Sequence, residues 1–104
     1  MKQHSEAQLR ELRSAARSLY QALLTMKKPE EVRQFLLDLC TPSELEAIVD
    51  RWWVANLLTE GRSYREIREI TGVSVTTIGR VARFMELGEG GYRLALDRMT
   101  GVET

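Results

Sequence analysis

The spacing of apolar residues along the chain predicts helices throughout. No stretch alternates apolar and polar residues long enough to indicate a strand, and proline occurs only twice. From Leu9 the apolar positions recur at alternating steps of three and four residues, which lays one stripe along a helix of about six turns. The stripe consists of Leu9, Leu12, Ala16, Leu19, Leu23 and Met26. A stripe of this length needs a partner helix, either within the chain or in a second subunit.

Start and stop signals place the next two helices. Pro29 stands near the first position of the second helix, and two glutamates follow it where acids complement the helix dipole. The run Thr-Pro-Ser-Glu at 41–44 is a capping box with proline at the first helical position. The third helix should therefore run from there to about Thr59 and end at Gly61 in a left-handed conformation. Its adjacent residues Trp52 and Trp53 diverge by about 100°, so one is expected in the core and the other partly exposed or in a subunit interface.

Two further helices are predicted around a tight turn. A second capping box at 63–66 opens a short helix that places Ile67 and Ile70 on one side. The turn follows at 71–73, and Ser74 caps a helix that runs to about Leu87. A glycine-rich run at 88–91 then interrupts the chain before a last helix at 91–99.

Length and composition limit the class of protein. A chain of 104 residues with 43% hydrophobic and 29% charged residues is expected to form a single domain over 1–104. Within it we expect dimerisation helices at 1–40, a central helix at 41–61, a helix-turn-helix at 62–87 and a carboxy-terminal helix at 91–99. The single cysteine and the lack of an apolar segment long enough for a bilayer favour a cytoplasmic protein without a membrane partner.

The charge distribution indicates a partner for the predicted helix-turn-helix. The net charge is zero, yet residues 62–83 contain five arginines and only two acids. In a helix-turn-helix the second helix enters the major groove of DNA, and small polar residues in its first turn allow close approach to the bases. The basic first helix supplies phosphate contacts. The DNA-contacting residues predicted on this basis are Tyr64, Arg65, Arg68, Thr76, Thr77 and Gly79, while Val75 is expected to pack inward with Ile78 and Val81.

One such unit reads only a few base pairs, so useful affinity generally needs two units one helical turn apart. The long amino-terminal stripe could supply the dimer that sets this spacing. We therefore expect an intertwined homodimer that binds a double-stranded DNA operator.

The order of several motifs resembles the tryptophan repressor superfamily, and is most similar to its YerC/YecD-type branch. The resemblance spans about residues 8–99 and includes the runs ELEAIVDRWWVANLL and FMELGEGGYR. Its motifs are Thr41-Pro42 with Glu44 and Arg51, Leu57-Leu58, Ser63-x-Arg65-Glu66, and Thr77-Ile78-x-Arg80. It implies a six-helix all-α fold, an interlaced dimer, and operator contacts at the positions predicted above and at Val75.

The resemblance also implies an effector pocket. The family's repressor holds the indole of L-tryptophan between two arginines, and Arg51 and Arg80 match them, with Thr41 at the polar position before the proline. Two small residues of that pocket are replaced by Val81 and Phe84, and bulky groups in a close-packed slot exclude a flat ligand. We expect tryptophan not to bind in the repressor's manner, and Arg80 to contact phosphate or stabilise the reading head.

The sequence gives little support for metal binding, phosphate binding or catalysis. His4 is a lone histidine, Cys40 has no histidine or cysteine partner in sequence, and the glycine-rich run at 88–91 lacks the strand and the GK[ST] ending of a phosphate loop. No residues suit catalysis, a metal or a cofactor, so the protein is not expected to be an enzyme. Two alternatives to a tryptophan-independent DNA-binding regulator stay open. One is a helical interaction module that does not read DNA, and the other is a repressor with a small corepressor at Arg51 and Arg80.

Overall fold

The computed structural model describes residues 3–101, and this part of the chain is helical with no strand. The predicted domain also includes residues 1–2 and 102–104, which lie outside the described residues. The helices are α1 (Glu6–Leu24), α2 (Pro29–Leu39), α3 (Pro42–Thr59), α4 (Tyr64–Thr71), α5 (Val75–Leu87) and α6 (Gly91–Met99). The all-α, six-helix prediction is therefore confirmed. The chain divides into two compact units, Met1–Thr41 with α1 and α2, and Pro42–Thr104 with α3 to α6.

The amino-terminal helix ends two residues before the last residue of the predicted apolar stripe. It starts at a capping box, in which the Ser5 amide donates to the Gln8 side chain at 2.8 Å and the Gln8 amide donates to the Ser5 hydroxyl at 3.2 Å. It ends at Leu24, where the Thr25 hydroxyl donates to the Ala22 carbonyl at 2.6 Å. Met26, the last residue of the predicted stripe, therefore lies beyond the helix.

Neither helix of the amino-terminal unit contains a buried residue. In α1 the stripe residues Leu9 and Leu12 are exposed, and in α2 so are Leu37 and Leu39. The start of α2 at Pro29 is confirmed, and the Lys27 amide donates to the Glu31 carboxylate at 2.8 Å just before it. The apolar surface of these two helices is thus left partly open to solvent in the single chain.

The carboxy-terminal unit contains its own hydrophobic core. The core is formed by α3, α4, the turn and α5, and consists of Val54, Ala55, Leu57, Ile67, Val73, Ile78 and Val81. Trp52 is half-buried and Trp53 is 42% exposed, so neither belongs to the core of this unit, where one of them was expected. Ile67 is fully buried, whereas Ile70, which was predicted on the same side of α4, is 43% exposed. Three residues turn a helix by about 300°, which carries Ile70 to the edge of the buried face.

Candidate nucleic-acid interface

A tight turn joins α4 to α5 and is held by side chains from both sides. Gly72 ends α4 with a φ of 76°, a left-handed conformation that favours glycine. The Thr71 hydroxyl donates to the Ile67 carbonyl at 2.7 Å and accepts from the Val73 amide at 3.0 Å. Val73 is buried, so its side chain anchors the turn in the core. Sequence reasoning placed this turn correctly and missed the role of Thr71.

Capping boxes and caps fix where each of the two helices begins. The Ser63 amide donates to the Glu66 carboxylate at 3.0 Å, and the Glu66 amide donates to the Ser63 hydroxyl at 3.1 Å, which confirms the predicted box. At the start of α5 the Thr77 amide donates to the Ser74 hydroxyl at 3.2 Å. The first turn of α5 is therefore held in a defined position relative to the turn.

The capping box also perturbs a carboxylate. The hydrogen bond from the Ser63 amide is the main reason that the pKa of Glu66 lies below its ordinary value. The Ser63 hydroxyl and the charge of Arg62 lower this pKa further. The charged form of Glu66 is thus the one that the cap stabilises.

The two faces of α5 differ sharply in burial. Ile78 is fully buried and Val81 is 1% exposed, so they fix the helix to the core. Val75 and Thr76 are exposed, as is Arg80 one turn further along. The exposed face at the start of α5 therefore offers small side chains to a partner.

Thr77 and Gly79 lie at the borders of this exposed face. Both are half-buried, and the Thr77 hydroxyl oxygen accepts a hydrogen bond from the Ser74 hydroxyl at 3.1 Å. A Cβ atom added to Gly79 would lie 3.8 Å from Cε2 of Tyr64, an ordinary contact distance. Gly79 thus lies beside the first residue of α4, so Tyr64 and Gly79 occupy one side of the helix pair.

The arginines of the carboxy-terminal unit differ in whether they form ion pairs. Arg65 pairs with Glu69 at 3.3 Å, and both side chains are exposed. Arg62 lies 3.6 Å from Glu60 and 3.7 Å from Glu66. Exposed pairs of this kind contribute little to stability and open readily.

Of the five arginines in segment 62–83, three have no ion pair with any residue in 3–101, namely Arg68, Arg80 and Arg83. The guanidinium carbon of Arg80 lies 5.8 Å from the centre of the Phe84 ring, one turn along the same helix. A guanidinium held over a ring by a cation-π contact still has donors at its edge for a phosphate.

Arg83 was missed by sequence reasoning. It is exposed, and it lies seven residues after Thr76 and three after Arg80, a spacing that puts the three on one helix face. The sequence could have predicted its position, because Arg83 belongs to the arginine-rich segment 62–83 and continues the helical spacing of Thr76 and Arg80.

The residues of the predicted effector pocket fall in different surroundings. Arg51 is exposed on α3, and Phe84 is half-exposed beneath Arg80. Val81 is 1% exposed and belongs to the hydrophobic core. Thr41 belongs to the amino-terminal unit. The expectation that tryptophan is excluded stays a prediction.

Two features of residues 3–101 bear on other functions. No group of three or more histidine, cysteine, aspartate or glutamate residues there is placed to hold a metal ion. None of the helices in that part combines the length and apolar character needed to cross a bilayer. Cys40 is a half-buried free thiol.

Comparison with known proteins now identifies the class of protein. Residues 14–100 match the family described as Trp repressor protein, so the chain belongs to the Trp repressor family. It is similar to the uncharacterised protein YerC of Bacillus subtilis, with 41% identity over 86 residues, which cover 83% of each chain.

Two solved structures share the fold. A TrpR-like protein from Eubacterium eligens has a TM-score of 0.80 and 37% identity, over 88% of this chain and 94% of its own. A Staphylococcus aureus protein assigned provisionally as a Trp repressor has a TM-score of 0.80 and 39% identity, over 93% and 97%. These relatives confirm the resemblance seen in the sequence motifs.

Proposed function

We propose that the protein is a homodimeric, sequence-specific DNA-binding transcription regulator of the repressor type. The observation that carries the proposal is the exposed start of α5, where Val75 and Thr76 project from a helix that Ser74 caps and Ile78 anchors. A helix presented in this way after a tight turn suits insertion into the major groove. Membership in the Trp repressor family supports the same conclusion.

The proposed DNA contacts fall into two groups, those to phosphates and those to bases in the major groove. Tyr64, Arg65 and Arg68 of α4 contact phosphates, together with Arg80 of α5. The groove is read from α5 by Val75, Thr76 and Thr77, with Gly79 close to the DNA surface. The Arg65–Glu69 pair opens on binding, because an exposed pair is weak and a phosphate is a stronger partner for Arg65.

The proposed dimer follows from the apolar surface of the single chain. The helices α1 and α2 bury no residue, and α3 exposes Ile48, Val49 and Trp53. Large exposed apolar surfaces in a soluble protein indicate an interface. A second copy of the chain is the proposed occupant, since two reading heads are needed for useful DNA affinity.

The proposed regulator acts in the cytoplasm, has no enzyme activity, and does not use tryptophan as the family's repressor does. Arg80 is already engaged by Phe84, and Val81 is buried in the core. Titration calorimetry of the protein with L-tryptophan should therefore show no saturable heat. A tight, saturable isotherm would contradict this part of the proposal and would favour a corepressor at Arg51 and Arg80.

Selection of bound duplexes from a random pool tests the main proposal, followed by affinity measurements on the selected site at several salt concentrations. We expect a palindromic site with two half-sites one helical turn apart. The logarithm of the affinity should fall steeply and linearly with the logarithm of the salt concentration, because phosphate contacts release counterions. Recovery of no preferred duplex, with binding insensitive to salt, would instead favour a protein-interaction module.

A further inference from the structure

One side of α1 carries three arginines at helical spacing. Arg10, Arg13 and Arg17 follow one another by steps of three and four residues, so they share one face of the helix, here called the arginine face. All three are exposed, and among residues 3–101 none of them forms an ion pair. Three unpaired guanidinium groups thus lie along about 10.5 Å of helix, in a chain whose net charge is zero.

The acids of α1 do not neutralise the arginine face. The helix contains two acids, Glu6 and Glu11. At 100° per residue, Glu11 lies at least about 100° around the helix from each of the three arginines. Glu6 is on the arginine face but in the first turn, four residues before Arg10. Three positive charges therefore stand against one negative charge on this side of α1.

The arginine face is distinct from the apolar stripe of the same helix. By the same rotation per residue, its centre lies about 110° around the helix from the centre of the stripe within α1. The stripe is the surface assigned above to the proposed dimer. A second copy packed on the stripe therefore leaves the centre of the arginine face directed toward solvent.

The residue type and the spacing indicate which partner suits this face. Guanidinium groups stay charged and match phosphate geometry through paired hydrogen bonds. The steps of three and four residues separate the arginines by about 4.5 and 6 Å along the helix. Each strand of duplex DNA presents a phosphate about every 3.4 Å along the duplex axis. Neighbouring arginines can therefore each meet a different phosphate.

An anionic lipid surface is the other polyanion that attracts a basic helix. Helices that lie on membranes insert an apolar side that typically contains tryptophan or phenylalanine. The sequence of α1 contains neither residue, and its leucine stripe is assigned to the dimer. The observations therefore favour a duplex over a membrane.

We propose that the arginine face of α1 is a second DNA-binding surface, which contacts the phosphate backbone of a duplex without reading its bases. It shares no residue with the surface of α4 and α5 described above. Its contribution is affinity and salt dependence, because phosphates carry no sequence information. It does not rest on the proposed sequence-specific function, since a duplex of any sequence offers phosphates.

The test is an anisotropy titration of the full chain with a labelled duplex of arbitrary sequence at several salt concentrations. The triple variant Arg10→Gln, Arg13→Gln and Arg17→Gln should bind roughly tenfold more weakly at low salt. Its salt slope should fall by about 3 per chain, because three phosphate contacts are lost. On a selected duplex, the ratio of its affinity to that for the arbitrary duplex should stay unchanged.

A matched control removes the same charge elsewhere in the amino-terminal unit. Lys27, Lys28 and Arg33 are exposed residues of that unit outside α1, and they form no ion pair in the part of the chain that the structure describes. The triple variant with glutamine at these three positions should keep most of the salt slope. Circular dichroism at the same concentrations checks that both triple variants stay helical.

A gain of binding provides a test that a folding defect cannot imitate. Ser14 is exposed and lies four residues after Arg10 and three before Arg17, so it borders the arginine face. Ser14→Lys adds a fourth cation there. It should strengthen binding to the arbitrary duplex and raise the salt slope by about 1.

Several results would overturn the proposal. Equal losses in the two triple variants would show that only net charge matters, and an unchanged salt slope in the arginine variant would remove α1 from the interface. Binding to vesicles of phosphatidylserine and phosphatidylcholine that needs the three arginines, without duplex binding, would assign the face to a lipid surface. Failure of the proposed function is a different result, namely that no duplex sequence is preferred, and it leaves the measurements on the arbitrary duplex unaffected.

Discussion

Gly72 and Gly79, both in the region formed by α4, the turn and α5, are glycines for different physical reasons. Gly72 has a positive φ of 76°, where a side chain is strained, whereas Gly79 lies inside α5 with helical geometry. A methyl group at Gly79 would lie 3.8 Å from Tyr64, which leaves room for it in the free protein. The fold therefore explains Gly72, while Gly79 needs another explanation, such as close approach to DNA.

A paired substitution separates these explanations. Gly72→Ala should lower the free energy of unfolding by about 1 kcal/mol through backbone strain. Gly79→Ala should raise it by about 0.5–1 kcal/mol, the usual gain in a helix interior. If Gly79 faces DNA as proposed, its variant should nevertheless bind the selected duplex more weakly. Denaturant unfolding and duplex titration measure the two effects, and an unweakened Gly79→Ala variant would remove Gly79 from the interface.

The contrast between Arg65 and Arg68 allows a second substitution test. Arg68 has no ion pair within residues 3–101, whereas Arg65 must leave Glu69 to meet a phosphate. Arg68→Ala should weaken binding to all sequences alike and reduce the salt slope by about 1. Arg98→Ala on α6 is the control and should leave the slope unchanged. A loss confined to the selected site, with the slope intact, would show that Arg68 reads bases instead.

At the level of single helices, the cap of α4 makes an acid-sensitive contribution. The folded pKa of Glu66 is lowered, so its stabilising effect is present above the unfolded pKa and is lost as the pH falls through the folded pKa. Glutamine can keep the geometry of the box, as Gln8 does in α1. Glu66→Gln should therefore be less stable than the parent at neutral pH, and the difference should close in acid.

Unfolding by denaturant at neutral and acidic pH measures this difference. An NMR titration of the Glu66 carboxylate in Ser63→Ala provides the control, because loss of the hydroxyl should move the pKa back toward its ordinary value. Ser5→Ala removes the equivalent cap of α1 and should leave the Glu66 pKa unchanged. A stability difference that persists in acid would mean that the charge of Glu66 is not what the cap stabilises.

The helix boundaries could be predicted because their signals are local. Pro29, the proline at 42 and the Ser63 box mark helix starts within a few residues of sequence, and the structure begins its helices there. The box at Ser5 follows the same pattern and was overlooked, since its partner is a glutamine. The stripe through Met26 was predicted too long because periodicity alone does not show where backbone hydrogen bonding ends.

The candidate site was predictable only in part. The proposed DNA-reading face of α5 follows from helical spacing, and so does the position of Arg83, because both depend on one helix. A groove of the carboxy-terminal unit, lined by Leu58, Ala82 and Arg93 among other residues of α3 to α6, depends on how several helices pack, and no spacing in the sequence brings these three residues together. Likewise, the engagement of Arg80 by Phe84 depends on side-chain conformation, which a motif match does not specify.

We propose that the protein is a homodimer in which a second copy covers the exposed apolar surface. The apolar stripe of α1 is where this proposal can be tested. Leu12 is an exposed residue of that stripe, and Ser14 lies on the other side of the helix. Leu12→Lys should therefore shift the protein from dimer to monomer in sedimentation equilibrium, since a charge in an apolar interface is poorly tolerated.

Ser14→Lys, with the same added charge, should leave the dimer intact. Loss of the dimer should also reduce duplex affinity, because two linked reading heads bind far more tightly than one. Circular dichroism at the same concentrations distinguishes dissociation from unfolding, and the carboxy-terminal core should keep α3 to α5 helical in the monomer. A parent protein that sediments as a monomer at micromolar concentration would contradict the dimer itself, and the apolar surface of α1 would then need another partner.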